Sequence, residues 1–247
     1  MILEKLAFLK LDPTFAARFL LRLPKYFRQR RAFTRLAAAR SREFPFASKY
    51  PMLFDAEAEN GAAARGPYFW QDLLVAQRIF AANPVRHIDA GSRIVGFIAH
   101  VAAFRKIETL DIRPIPSDIP NVKFMQCDLM GEVPAELVES ADSVSSLHAI
   151  EHFGLGRYGD PLDPDGHLKG FANLVKLLKP DGTLHFSAPF GKQCVHFNAH
   201  RVFSLDYLLK MFSNHGLEVL RFSYVDEAGN PHQDIRLDAS LIAASCG

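Results

Sequence analysis

The sequence predicts an α/β fold, a mostly parallel sheet with helices on both faces. Three observations carry this. Five short apolar runs alternate with stretches of helical period between residues 85 and 214. The first four close on or beside Asp89, Asp111, Asp128 and His148, the strand-end positions at which open α/β sheets bind ligands. A glycine, Gly91, follows the first run, where the chain must turn into a helix.

In chain order, a leader comes first. "PTFAARFLLRL" sets Phe15, Phe19, Leu20 and Leu23 on one helical face with Arg18 and Arg22 off it. Pro24 then begins a second, more basic helix. Residues 45–67 read as irregular chain, with "ENGAAARG" an exposed loop. A helix follows Pro67, with Phe69, Leu73, Ala76 and Phe80 near helical spacing, and Asn83-Pro84 stops it. Strands are expected at 85–90, 107–112, 122–128, 142–148 and 182–188, and helices at 94–104, 167–179 and 204–214. The last two apolar runs, "LEVLRFSYV" and "SLIAASC", are joined without a helix, which favours a closing antiparallel hairpin. The organisation is therefore a basic helical extension, residues 1–66, before a catalytic-type α/β domain, residues 67–247.

At 247 residues, 49% hydrophobic and 23% charged, the chain is long enough for a full core. No apolar run approaches the roughly 18 to 20 residues of a membrane span, and residues 1–9 lack the form of a signal peptide. Three cysteines without C-x-x-C spacing favour a reducing cytosol, so a cytoplasmic location is expected. The net charge of +2 is unevenly spread: residues 1–42 hold eleven Lys/Arg against Glu4 and Asp12, leaving the remainder acidic. Docking of that leader on the domain, or on a second copy in a homo-oligomer, is the first reading. Peripheral contact with an anionic membrane surface through residues 1–42 is the second. No nucleic-acid partner is expected, because no reader motif accompanies the charge.

The turn after the first strand reads Gly91-Ser92-Arg93-Ile94-Val95-Gly96 where a dinucleotide fold would carry G-x-G-x-x-G. The second glycine of that fingerprint serves a pyrophosphate, and a ligand without phosphate does not need it. Ser92 can donate to a ligand carboxylate and Arg93 can pair with one. Asp111, twenty residues after Gly91, suits a ribose diol, and Asp128 suits an adenine amino group. Their neighbours Ile112 and Leu129, with Asp89 and His148, complete the expected cofactor set. The alternative is that these acids cap helices and turns.

Beyond the fourth strand, "EHFGLGRYGDPLDPDGH" holds Glu151, His152, Arg157, Asp160, Asp163, Asp165 and His167 among four glycines. Histidine can take a proton near neutrality, so Glu151 and His152, with His200, are the expected catalytic residues. Arg157 and Asp160, with His196, Asn198 and Arg201 from "HFNAHRVFS", are expected to bind substrate. The carboxylates also suit Mg²⁺ or Ca²⁺, but no metal ligand set is assigned, and zinc on His196 and His200 is disfavoured. The competing reading is a turn-rich loop in which Asp165 caps a helix and Asp160 or Asp163 starts β-turns.

Together "HIDAGSRIVGF", "LDIRP", "FMQCDL", "SSLHAIEHFGLGRYGDPLDPDGH", "LKPDGTLHFSAPFG" and "FNAHRVFS" resemble the family catalogued as domain of unknown function two-six-eight, over residues 65–247. Its members are similar to class I S-adenosylmethionine-dependent methyltransferases. The resemblance implies their Rossmann-like fold, a mostly parallel seven-stranded sheet with a final antiparallel strand. It also implies S-adenosylmethionine as cofactor, with Asp89 and Gly91 in the first motif, Asp111 at the ribose, Asp128 at the adenine and His148 on the strand-four edge. The reaction expected is methyl transfer to a small hydroxylated acceptor, with a saccharide as first candidate. A non-catalytic methyltransferase-like binding module and a nicotinamide oxidoreductase are the rival readings.

Overall fold

The computed structural model describes residues 13–38, 66–115 and 118–246. Contacts divide the chain into two units at Ala63/Ala64. In the first, one helix, α1 (Pro13–Ala38), runs through Pro24. The break expected at that proline is therefore absent. Pro24 removes one backbone donor, but the Lys-, Arg- and Gln-rich turns after it favour helix strongly enough to continue it. The loop expected across residues 45–67 lies outside the described residues up to residue 65. No described helix is long and apolar enough to cross a membrane.

The second unit opens with α2 (Pro67–Ala82), which starts with Pro67 after Gly66 and ends on Asn83 in the left-handed conformation. Its buried face is Asp72, Val75, Ala76 and Ile79. Of the four positions singled out by spacing, only Ala76 is buried, and Phe69 and Phe80 face outward. The two sets are both compatible with a 3.6-residue period, and packing selects between them.

Five strands follow as expected: β1 (His87–Ala90), β2 (Ile107–Asp111), β3 (Val122–Gln126), β4 (Ala141–Leu147) and β5 (Leu178–Ser187). They form one parallel sheet in the order β3-β2-β1-β4-β5. The order reverses beside β1, which places a crevice at the carboxyl ends of β1 and β4. Between β1 and β2 the chain makes a π-helical turn (Ile94–Ile98) that runs into α3 (Ala99–Ala102). With α2 this segment covers one face, where Ile79, Phe97, Ile98 and Val101 are wholly buried. The other face carries α4 (Gly166–Leu177) and α5 (Leu205–Asn214), with Phe171, Leu174 and Leu177 against Ile88 and Val144. Each such side chain contributes about 1.5–3 kcal/mol on burial, so both layers hold the sheet.

Among the described residues the sheet has five strands, not seven. Two short hairpins stand apart from it: β6 (Cys194–His196) with β7 (His200–Val202), and β8 (Phe222–Val225) with β9 (Pro231–Ile235). The closing antiparallel hairpin is thus present: its first strand lies within "LEVLRFSYV" as expected, and its second is Pro231–Ile235 instead of "SLIAASC". "SLIAASC" is helical, α6 (Ala239–Cys246), because the Asp238 carboxylate accepts from the Leu241 amide as an N-cap. The outer edge of β5 pairs with no strand among the described residues. A groove of about 1740 Å³ runs along it, bounded by α2, α5 and the β8–β9 hairpin.

Candidate active site

A cavity of about 140 Å³ opens at the carboxyl ends of β1, β2 and β3, lined by Gly91, Asp111, Asp128, His148, His152 and Tyr158 among others. Gly91 has φ +74 and donates its amide to the Leu110 carbonyl. A Cβ there would lie 2.9 Å from the Ala149 Cβ, so only glycine fits this turn. Gly96 serves packing instead: a Cβ on it would run into the Asp72 carboxylate of α2.

Asp89 and Ser92 do not line the cavity. Asp89 is fully buried, accepting from the Ser92 amide (3.1 Å), the Ser92 hydroxyl (2.6 Å) and the Ser145 hydroxyl (2.5 Å). Burial raises its pKa from 3.8 to about 6, against the pull of the Ser145 and Ser92 hydrogen bonds. The Ser92 hydroxyl also accepts from the Leu147 amide, which leaves it no free donor for a ligand. Ser92, directly after the first fingerprint glycine, therefore closes the turn from within by side-chain bonds across β1 and β4, and Arg93 stands where the second glycine would be. Behind it, His87 Nδ1 lies 2.9 Å from Ser143 Oγ and Nε2 lies 3.1 Å from Ser145 Oγ. Ser145 gives its proton to Asp89, so Nε2 carries the ring hydrogen and donates to Ser145.

Asp111 and Asp128 both line the cavity, as do Ile112 and Leu129. Asp111 is already engaged: Arg113 bonds both its oxygens, at 2.9 and 2.7 Å, and stacks on the Tyr158 ring at 4.5 Å. Asp128 accepts from the Met130 amide with one oxygen. Arg93 lies over the Tyr68 ring, 4.8 Å from its centroid, and both residues line the cavity.

Glu151 is buried on a 3-10 turn (Ile150–His152) directly behind the cavity. Its Oε1 lies 2.9 Å from His148 Nδ1 and 3.8 Å from His152 Nε2, and its Oε2 is buried without a partner. His152 donates from Nδ1 to the Ala199 carbonyl, and burial lowers its pKa against the opposing charge of Glu151. His200 lies further out on β7, its ring 6.5 Å from that of His152.

The polar loop is largely committed to itself. Burial would raise the Asp160 pKa, but amide bonds from Tyr158, Gly156 and Gly154 outweigh it and hold the group below its usual value. Asp163 accepts from the Asp165 amide and pairs with Lys169. Asp165 occupies the N-cap of α4 but makes no capping bond with its side chain, so that part of the competing turn-rich reading does not hold. Arg201 is buried, and its guanidinium donates to the carbonyls of Phe153 (2.5 Å), Pro164 (3.1 Å) and Glu151 (3.4 Å). It is a strut between the β6–β7 hairpin and the loop, and it is not among the residues lining the cavity. Arg157 donates to the Ala199 carbonyl, and His196 and Asn198 are exposed near the hairpin tip, away from the cavity lining. Among the described residues no group of three or more His, Cys, Asp or Glu is arranged to hold a metal ion.

Tyr68, Arg113, Met130, Phe153 and Tyr158 line the cavity without having been marked by the sequence. Tyr158 carried one signal, its place between Arg157 and Gly159 in the loop leaving β4.

Residues 118–240, just under half of the chain, match the family model described as "Caenorhabditis protein of unknown function, DUF268". The resemblance read from the motifs holds over that stretch. No curated protein matches the sequence. Among solved structures, the chain is similar to the 1,6-didemethyltoxoflavin-N1-methyltransferase of Burkholderia thailandensis, solved with 1,6-didemethyltoxoflavin and S-adenosylhomocysteine. The two share 16% identity at a TM-score of 0.50, over 77% of this chain and 90% of that one. A putative sarcosine dimethylglycine methyltransferase from Galdieria sulphuraria is 18% identical at 0.46, over 62% of this chain and 61% of that one. The amino pentose methyltransferase CalS10 from Micromonospora echinaspora is 19% identical at 0.40, over 60% of each chain. The chain thus spans about 60% of the length of these last two. The first likeness establishes the fold: the Rossmann-like fold of the class I S-adenosylmethionine-dependent methyltransferases.

Proposed function

We propose that this chain transfers a methyl group from S-adenosylmethionine to a small hydroxylated acceptor. One observation carries the reading. The cavity at the strand ends combines a single obligatory glycine, Gly91, with acids at the ends of both β2 and β3. A ribose diol wants a carboxylate at the first acid and an adenine amine an acceptor at the second. The turn itself offers no glycine-lined approach for a pyrophosphate, which argues against a dinucleotide.

The donor set fits that cofactor, with one movement required. A cavity of about 140 Å³ is below the roughly 300–1,000 Å³ of small-molecule sites. Arg113, held between Asp111 and Tyr158, is the side chain whose displacement enlarges it. When bound, S-adenosylmethionine supplies an electrophilic methyl group on a sulfonium. Asp111 would hold the ribose hydroxyls and Asp128 the adenine amine, while Gly91 lets the backbone approach. His148, His152 and Tyr68 wall the acceptor side, where positioning of the nucleophile is the main catalytic contribution. A saccharide acceptor is suggested by the density of carboxylate, histidine and asparagine side chains, but Asp160 and Asp163 spend their oxygens within the loop, which leaves a hydroxylated acceptor without that narrower support.

A second reading, a non-catalytic module, is favoured by one observation: both oxygens of Asp111 are already satisfied by Arg113. Calorimetric titration with S-adenosylmethionine, S-adenosylhomocysteine and NADH separates the possibilities. Asp111→Ala should weaken binding of the first two by about 1.5–3 kcal/mol, the scale of charge-assisted hydrogen bonds. Arg113→Ala should leave that affinity equal or tighter. A folded wild type that binds neither sulfur ligand is the non-catalytic module, and one that binds NADH alone is an oxidoreductase.

A further inference from the structure

We infer that His148 is the group that takes the acceptor's proton, with Glu151 behind it fixing which ring nitrogen is free to do so. The inference rests on the methyl-transfer reading and moves the base from His152 or His200 to a residue the sequence assigned to the cofactor. Three observations carry it.

The first is position. Among the described residues His148 alone lines both the strand-end cavity and the groove along β5. A proton acceptor for methyl transfer must touch the nucleophile while the donor lies on its other side, and His148 stands where the two spaces meet. The second is hydrogen bonding. Nδ1 lies 2.9 Å from Glu151 Oε1, and a carboxylate oxygen only accepts, so the ring hydrogen sits on Nδ1 and the lone pair on Nε2. Among the described residues no partner takes Nε2. His152 differs: its Nδ1 is spent on the Ala199 carbonyl, and its Nε2 faces the same Glu151 oxygen at 3.8 Å. The third is the backbone. His148 has φ +50, a left-handed conformation that residues with a Cβ seldom adopt. It is held there by its amide, which donates to the Ser187 carbonyl at 3.0 Å on the neighbouring strand. Such local strain accompanies sites where side-chain direction matters.

In the step itself the acceptor's O–H proton passes to Nε2, and the oxygen pair forms the O–C bond. The S–C pair stays on sulfur, which leaves as a neutral thioether. The imidazolium, stabilised by Glu151, returns its proton to water. Glu151 touches neither reactant and is a positioning residue.

Nitrogen-15 histidine spectra of the full chain without ligand test the tautomer. His148 is expected to carry its hydrogen on Nδ1. Glu151→Ala should return it to the Nε2–H form that free imidazole prefers, and Glu151→Gln, which keeps an acceptor oxygen, should retain Nδ1–H. Diethyl pyrocarbonate, followed by peptide mass spectrometry, should label His148 several-fold faster than His152, and several-fold more slowly in Glu151→Ala. If the Ala variant does not fold, the Gln variant and the wild-type tautomer still decide. An Nε2–H tautomer in wild type, with S-adenosylhomocysteine binding intact, overturns His148 as base and leaves methyl transfer standing. Nδ1–H with no S-adenosylhomocysteine binding overturns the methyl-transfer reading, and the base with it.

Discussion

Asp89→Asn isolates the buried acid beneath the turn. Asp89 has its pKa raised by burial from 3.8 to about 6. The folded state therefore holds a proton that the unfolded chain has released between those values. Stability from the protonated form is complete below about pH 4 and is lost as pH rises through about 6. The difference corresponds to roughly 3 kcal/mol at neutral pH, from 1.36 kcal/mol per pKa unit. For a unit of this size that is about 6–12 °C in Tm. Two histidines oppose it: burial lowers His87 to about 3 and His185 to about 4 from an ordinary 6.5. Each costs stability as pH falls below 6.5, because the unfolded chain takes up the proton and the folded one does not. Wild type alone will thus show a shallow profile, and the difference between wild type and Asp89→Asn removes the histidine contributions. The asparagine oxygen can accept from the Ser92 amide and its NH₂ can donate to Ser145. Ser145 can then turn its proton to His87 Nε2, so the variant should fold. Calorimetric Tm values from pH 4 to 7.5 are expected to show wild type losing about 6–12 °C relative to the variant as pH rises. A pH-independent difference would refute burial as the dominant influence on Asp89. A change of opposite sign would mean that the serine hydroxyls hold it ionised throughout.

Three further outcomes follow from the same geometry. Gly91→Ala must place a Cβ at φ +74, 2.9 Å from the Ala149 Cβ, and should cost about 1–3 kcal/mol of stability. S-adenosylhomocysteine binding should fall with it, and unaltered Tm and affinity would remove the turn from the site. Arg201→Lys keeps the charge but loses the fork that reaches three carbonyls. About 2–3 kcal/mol of destabilisation is expected, with faster proteolytic cleavage between residues 153 and 165. Resistance equal to wild type would show that the loop does not depend on this strut. Residues 67–247 produced alone should unfold cooperatively and keep ligand affinity, since the sheet and both of its cores lie within them. Molten or insoluble product would show that the leader completes the fold.

The sheet was legible because its strands are short, mostly apolar runs, the first three closing on or beside an acid, and the apolar content follows directly from burial on two faces. Two of the acids lining the cavity, Asp111 and Asp128, were legible from their place at strand ends: Asp111 closes β2 and Asp128 lies two residues past β3. The rest of the site depends on which polar atoms the backbone consumes. Between residues 152 and 167 a glycine-rich loop without regular pairing leaves amides that need acceptors. Asp160 answers three of them, and Asp163 another. Arg201 answers carbonyls of the same region from fifty residues away in sequence, which no local pattern could reveal. Density of charge in such a loop is therefore first a measure of unpaired backbone, and only the remainder is available to a ligand. Applied to the histidines, the same test disfavours His152, whose Nδ1 serves the Ala199 carbonyl and whose Nε2 faces the Glu151 oxygen at 3.8 Å. His148 passes it, because its engaged nitrogen meets a buried carboxylate and its other nitrogen has no protein partner among the described residues.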